Sequence, residues 1–232
     1  MSRLDDLKRF YRCLGRLRQI LGGMRRLSES SGRMSWPRRG IYFFTEAGEV
    51  RDQTGEGARI VRVGTHALNY GSRTTLWKRL RQHKGPRAGG GCHRTSIFRG
   101  VVGSALIERD RIICPSWALR RQVSPEDVKT EETVERTVSK VIGDMPFLWL
   151  AIEDAPGPDS ERKYIERNAI ALLSNYRRDS FDPPSAAWLG RYCRRGKVRP
   201  SGLWNSDHVA DNYDPCFLDT LASRISRMAF PE

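Results

Sequence analysis

At 232 residues, 38% of them hydrophobic and 29% charged, the chain is long enough for one sizeable domain with extensions or two small ones. No run of about 18 apolar residues occurs, which excludes a membrane-spanning helix. The 41 Lys and Arg against 27 Asp and Glu leave +14 at pH 7, an excess that points to a polyanionic partner, nucleic acid first.

The basic residues are clustered. Residues 1–39 hold eleven Lys/Arg against three acids, 73–99 hold eight against none, and 191–199 hold five against none. One-sign clusters of this kind attract phosphates by counterion release, whereas charge kept for solubility alone would be scattered. The five cysteines (Cys13, Cys92, Cys114, Cys193, Cys216) are odd in number and form no CxxC. They read as reduced thiols of a cytoplasmic protein rather than disulfides or zinc ligands.

In chain order, apolar residues from Leu4 to Met24 recur every three or four positions, which predicts a basic amphipathic helix over 4–27, weakened by Gly22-Gly23. It spans only three heptads, so packing on its own domain is preferred to a dimer seam, although a homodimer stays open. "SESSGRMSWP" is a linker. Residues 40–46 and 59–64 predict two strands of a hairpin with a long loop, and "TTLWKRLRQH" (74–83) a helix with a Thr N-cap. "KGPRAGGGCHRTS" is loop, and the apolar "IFRGVVGSALI" is assigned neither helix nor strand. Ser124-Pro125-Glu126 starts a helix, 145–154 forms a buried strand, 161–178 a helix, and a short helix at 216–228 closes a loop-rich remainder.

Several polar residues stand out on this layout. Tyr42 lies on the first strand, Arg62 on the second, and Arg79 and His83 share one helix face, being four apart. Glu166 sits among apolar neighbours in a helix, where a carboxylate needs a partner; Arg162 at i−4 is one candidate. Asn168 and Asn175 follow. The series "GIY" (40–42), "RVG" (62–64), "LWKRLRQH" and "IERNAI" resembles the GIY-YIG nuclease superfamily over roughly residues 36–178, with His83 at the spacing of its restriction-endonuclease branch. Two positions depart from the pattern. Arg62 stands where the second Tyr is usual, and the terminal Asn is either Asn175 or, after a long insertion, Asn205, with Asn175 preferred.

The resemblance implies an α+β fold: a small, mostly antiparallel sheet flanked by helices at 36–180, preceded by the basic helix and linker at 1–35 and followed by the loop-rich extension at 181–232. It also implies metal-dependent endonuclease action on double-stranded DNA, with restriction, repair and mobile-element homing as open roles. The catalytic set would be Tyr42, Arg62, Arg79, His83, Glu166 and Asn175, with Glu166 holding Mg2+ or Mn2+. Tyr42 would be the general base; a free tyrosine has a pKa of about 10, so the role requires neighbouring cations or a metal-bound water. Arg79 would clamp the phosphate, and His83 would hold a phosphate oxygen or orient Tyr42. Arg73, Lys78, Arg81, Lys84, Arg87, Arg94, Arg99, Arg194, Arg195, Lys197 and Arg199 would contact nucleic acid. A binding module without catalysis and an RNA-directed nuclease are the alternatives.

Overall fold

The computed structural model describes residues 2–119 and 124–229. Residue 1 of the expected N-terminal segment and residues 230–232 of the expected C-terminal extension lie outside them. The order is α1 (Arg3–Ile20), β1 (Arg25–Arg26), β2 (Gly40–Arg51), β3 (Gly57–Gly64), α2 (Leu76–Lys84), α3 (Ile97–Asp110), α4 (Pro125–Asp144), β4 (Pro146–Ala151), α5 (Glu161–Leu173), α6 (Val198–Ser201) and α7 (Phe217–Ala229). The strands form one antiparallel sheet in the order β1-β4-β2-β3, which gives the α+β class that the sequence indicates.

The unbroken apolar run Ile41–Phe44 follows from helices covering both faces of this sheet, so both alternating sets of side chains are buried. Tyr42, Phe44, Phe147 and Trp149 share one core with residues of α2, α3 and α4, together with Trp188 and Trp204. Ile41, Phe43, Leu148 and Leu150 share the other with residues of α1, α5 and α7. The N-terminal helix and the segment beyond residue 181 therefore contribute to the same cores as the sheet. Tyr42 pairs with Gly64 and Phe44 with Arg62, but Thr45 pairs with Ile60. Val61 is thus the extra residue of a bulge, and its carbonyl accepts the amide of Trp204 at 2.7 Å.

Several boundaries differ from expectation for identifiable reasons. α1 stops at Ile20 because Gly22 and Gly23 take positive φ, and Arg25–Arg26, expected in the helix, pair with β4 instead. α5 ends at Leu173 rather than 178, where the Arg3 guanidinium from α1 donates to the carbonyls of Leu172 in its last turn and of Ser174 and Asp179 beyond it. β2 continues to Arg51, leaving a short tip. There the amides of Asp52, Gln53 and Thr54 converge on Asp182 Oδ1 at 3.0, 2.9 and 3.3 Å, tying the C-terminal segment to the hairpin. α3 escaped assignment because of Gly100 and Gly103. A Cβ at Gly103 would lie 2.0 Å from the Trp117 ring, so this glycine is kept for packing despite its poor helix propensity.

Candidate active site

The two glycines of the signature tripeptides are close-approach positions. A Cβ at Gly40 would stand 2.5 Å from the Leu150 carbonyl oxygen, and one at Gly64 would stand 2.4 Å from the Tyr42 hydroxyl. The Tyr42 ring consequently lies against bare β3 backbone. Its hydroxyl is 2.8 Å from His83 Nε2, and His83 Nδ1 is 2.8 Å from Ser96 Oγ. All three residues are fully buried. Burial, then the charges of Arg79, Arg62 and Arg99, hold His83 well below the usual histidine range, so it is a neutral imidazole.

Arg62 lies on the Tyr42 face of the sheet. Its Nη1 donates to the Trp204 carbonyl at 2.8 Å and its guanidinium stands 4.5 Å from the Phe98 ring centre, while Nε has no partner. Arg79, half-buried on α2, donates to Gln82 Oε1 at 3.1 Å. Among the described residues neither guanidinium forms an ion pair with a carboxylate. On α5, Glu166 Oε1 accepts the amide of Thr65, the residue after Gly64, at 2.9 Å. Burial pushes the Glu166 carboxyl up, and the charge of Arg62 opposes that most, followed by the Thr65 amide, His208 and Arg79. The lowering of Arg62 by burial is opposed in turn by Tyr42 and Glu166. Arg62 is thus within electrostatic reach of Tyr42, Arg79, His83 and Glu166 at one end of the β2–β3 pair, and Arg79 within reach of His83 and Glu166. The alternative pairing of Glu166 with Arg162 does not form. Arg162 is fully buried and spent on Asp154 and the carbonyls of His66 and Ala67.

A family model described as GIY-YIG domain matches residues 1–230 of this chain. The chain belongs to the GIY-YIG family. No curated protein and no solved structure matches it. The GIY-YIG match makes nuclease chemistry the frame for the cluster around Tyr42, and it reaches across both flanking segments.

Asn175 departs from the role expected of it. Its Oδ1 accepts from the Phe181 amide and from Arg3, and its Nδ2 donates to the Phe181 carbonyl, so both ends of the amide shape a turn after α5. Asn205 instead brackets β3 next to Arg62, accepting the Val63 amide at 3.1 Å and donating to the Val63 carbonyl at 2.9 Å. His208, with a left-handed φ of 62°, lies near Glu166 and bonds Asp211 at 2.9 Å; Asp211 also pairs with Arg167, the neighbour of Glu166. Sequence reasoning missed Ser96, Thr65 and His208 in this site. "GLWN" (202–205) was the sequence signal toward Asn205; Thr65, Ser96 and His208 lie in "RVGTHAL", "HRTSIF" and "SGLWNSDHV", stretches that resemble the family without singling these residues out.

Among the described residues, no three His, Cys, Asp or Glu side chains are grouped to hold a metal ion. Glu166 offers one carboxylate, with one oxygen on the Thr65 amide and no hydrogen-bond partner for the other among those residues. A single carboxylate suits Mg2+ or Mn2+, which take water and substrate oxygens for the rest of their shell, and is too poor a donor set for zinc.

Of the basic residues, Arg73, Lys78, Arg81, Arg87, Arg195, Lys197 and Arg199 are exposed. Lys84 is half-buried and donates to the carbonyls of Ser28 and Ser30. Arg94 makes two 2.7 Å bonds to Glu131, and the exposed Arg194 pairs with Glu108 at 2.5 Å, so the charges of both are offset. Arg99 is a correction. It is fully buried, bonded to Glu135 and to the His83 and Gly90 carbonyls, and cannot reach a ligand.

His66 gives the site region a pH dependence. It is buried, its Nδ1 bonds the Thr74 carbonyl at 3.1 Å, and burial followed by the charge of Arg162 pushes its pKa down to about 4 from 6.5. Between those values the unfolded chain takes up a proton that the folded His66 refuses. Stability is therefore complete above pH 6.5 and falls as the pH drops toward 4, by about 3 kcal/mol from this group. His66→Asn keeps a donor for the Thr74 carbonyl and is expected to flatten that decline in urea titrations at pH 7, 6 and 5. An unchanged slope would remove His66 as its source.

Proposed function

We propose that this chain is a Mg2+- or Mn2+-dependent endonuclease acting on double-stranded DNA, with a restriction-like role as the finer reading. The observation that carries it is the pair of guanidiniums, Arg62 and Arg79, which form no ion pair with a carboxylate among the described residues and lie within electrostatic reach of Glu166, Arg62 also of Tyr42. Two unpaired cations beside one carboxylate leave net positive charge where a phosphodiester would sit. Arg79, at the edge of the cluster, engages a non-bridging phosphate oxygen. Glu166 would hold the metal ion, which would supply neutralisation of charge on the phosphoryl oxygens. For Tyr42 to take the proton of the attacking water it must first have lost its own, so it would act as the phenolate, with the Arg62 guanidinium as the compensating charge.

Two observations favour a second reading, a binding module without cleavage. Tyr42 is fully buried, and Arg62 occupies the place of the second Tyr. Incubation with plasmid in the presence and absence of Mg2+ separates the two, and RNA offered in parallel tests the substrate class.

Under either reading the exposed cations just before α2, on α2 and in the loop after it track the backbone. Neutralising Arg73, Arg81 and Arg87 to Gln is expected to weaken DNA binding and to reduce the slope of log K against log salt by about 0.9 for each phosphate left without its arginine. An unchanged slope would make them solvated bystanders.

A further inference from the structure

We infer that duplex DNA leaves the site along a groove between α4 and the loop after α2, where Arg136 and Lys140 of α4 hold its phosphates together with Lys84 and Arg87. The inference rests on the DNA reading above and extends the path onto a helix that carries more acids than cations, six against three. The loop comes first. Gly85, at a φ of 78°, turns the chain out of α2, and a Cβ there would stand 2.1 Å from the Gly90 carbonyl oxygen, so residues 85–90 fold back on themselves. That carbonyl accepts Ser139 Oγ of α4 at 2.5 Å and Arg99 Nη2 at 3.1 Å. Gly89, at a φ of 84°, lies against the stem of Arg136, whose Cγ would be 3.4 Å from a Cβ at that glycine. The loop is thus tied to α4, and the two form the walls of one groove.

Lys84, Arg87, Arg136 and Lys140 line it, with Asp144 as its one acid. Arg87, Arg136 and Lys140 are exposed. Lys84 spends two of its three N–H bonds on the Ser28 and Ser30 carbonyls and keeps its charge. Burial, followed by the charge of Arg87, lowers its pKa, so these two cations feel each other. On α4, Glu131 is spent on Arg94 and Glu135 on Arg99, while Arg136 and Lys140, four apart, repel along one face. Among the described residues none of the four cations forms an ion pair with a carboxylate. Charge on a convex face is ordinarily left to solvent, but a concavity lined by one sign focuses the field and draws in an anion. A duplex backbone fits because the groove continues from the site. Lys84 follows Arg79 by five residues of α2, a rise of about 7.5 Å, which is about two base-pair steps of DNA. A duplex with one phosphate on Arg79 therefore reaches the groove within a few base pairs.

Fluorescence anisotropy of a labelled duplex, titrated with the full-length protein over a range of salt concentrations, tests this. Arg136→Gln with Lys140→Gln keeps helix propensity on an exposed face, so the variant folds. It is expected to reduce the slope of log K against log salt by about 0.9 for each of two phosphates and to weaken binding at least about tenfold at roughly 0.1 M salt. Lys8→Gln with Arg12→Gln removes the same charge from exposed positions on α1, which packs on the other core, and is expected to leave the slope unchanged. An unchanged slope for the α4 pair, an equal loss for the α1 pair, or a wild type that binds no duplex would overturn the inference. The expected slopes in a protein that never nicks plasmid would leave it standing and sink the nuclease reading alone.

Discussion

Glu166→Gln is expected to fold and to bind DNA as tightly as the wild type or more so, yet to cut it several powers of ten more slowly. The substitution keeps the carbonyl oxygen that accepts the Thr65 amide at 2.9 Å, so the local geometry survives. It removes the charge that would hold the metal ion, and with it a contribution of several kcal/mol to transition-state stabilisation. The uncharged amide also leaves Arg62 and Arg79 uncompensated, which favours an incoming phosphate. If Glu166 only secured the Thr65 amide, Gln would do so as well and cleavage would be unchanged. A time course of plasmid nicking resolves outcomes that far apart.

Arg99→Ala is expected to cost about 3–5 kcal/mol of stability, read as a lower urea midpoint at unchanged slope, with no specific effect on DNA binding. Arg99 is fully buried; its Nε lies 2.8 Å from Glu135 Oε2 and its Nη2 2.8 Å from the Glu135 carbonyl. Its removal strands the Glu135 carboxylate, whose pKa is held below its usual value by His93 and Arg99 against the opposing effect of burial. The network also has an acid limit. Stability from Glu135 is present above the unfolded carboxylate pKa of 4.5 and is lost as the pH falls below it. Arg99→Ala with wild-type stability and weakened DNA binding would return Arg99 to the nucleic-acid surface.

Arg99 also illustrates what sequence could and could not show. Its place in a run of eight cations without an acid is a charge signal, and charge in sequence says nothing about burial. The partner that makes it structural, Glu135, lies 36 residues away on α4. The tripeptides "GIY" and "RVG" were legible through the family resemblance, and the glycine of each is a close-approach position in the fold. His83 was legible because four residues on a helix place it on the face of Arg79. Ser96, Thr65 and Asn205 act through contacts between distant segments, for which helical or strand periodicity carries no signal. α3 was hidden by Gly100 and Gly103, the second of them kept for the Trp117 ring, and the true end of α5 by an arginine from the opposite end of the chain.

The central claim is metal-dependent phosphodiester cleavage at the Tyr42–Arg62–Arg79–Glu166 cluster. Incubation of the purified protein with supercoiled plasmid, with Mg2+, with Mn2+ and with chelator, tests it most directly. The account predicts conversion to nicked and then linear forms that requires the divalent ion and stops with chelator. Retention of the plasmid in a protein–DNA complex, with no nicking in either metal, would contradict it and leave a GIY-YIG fold that binds without cutting.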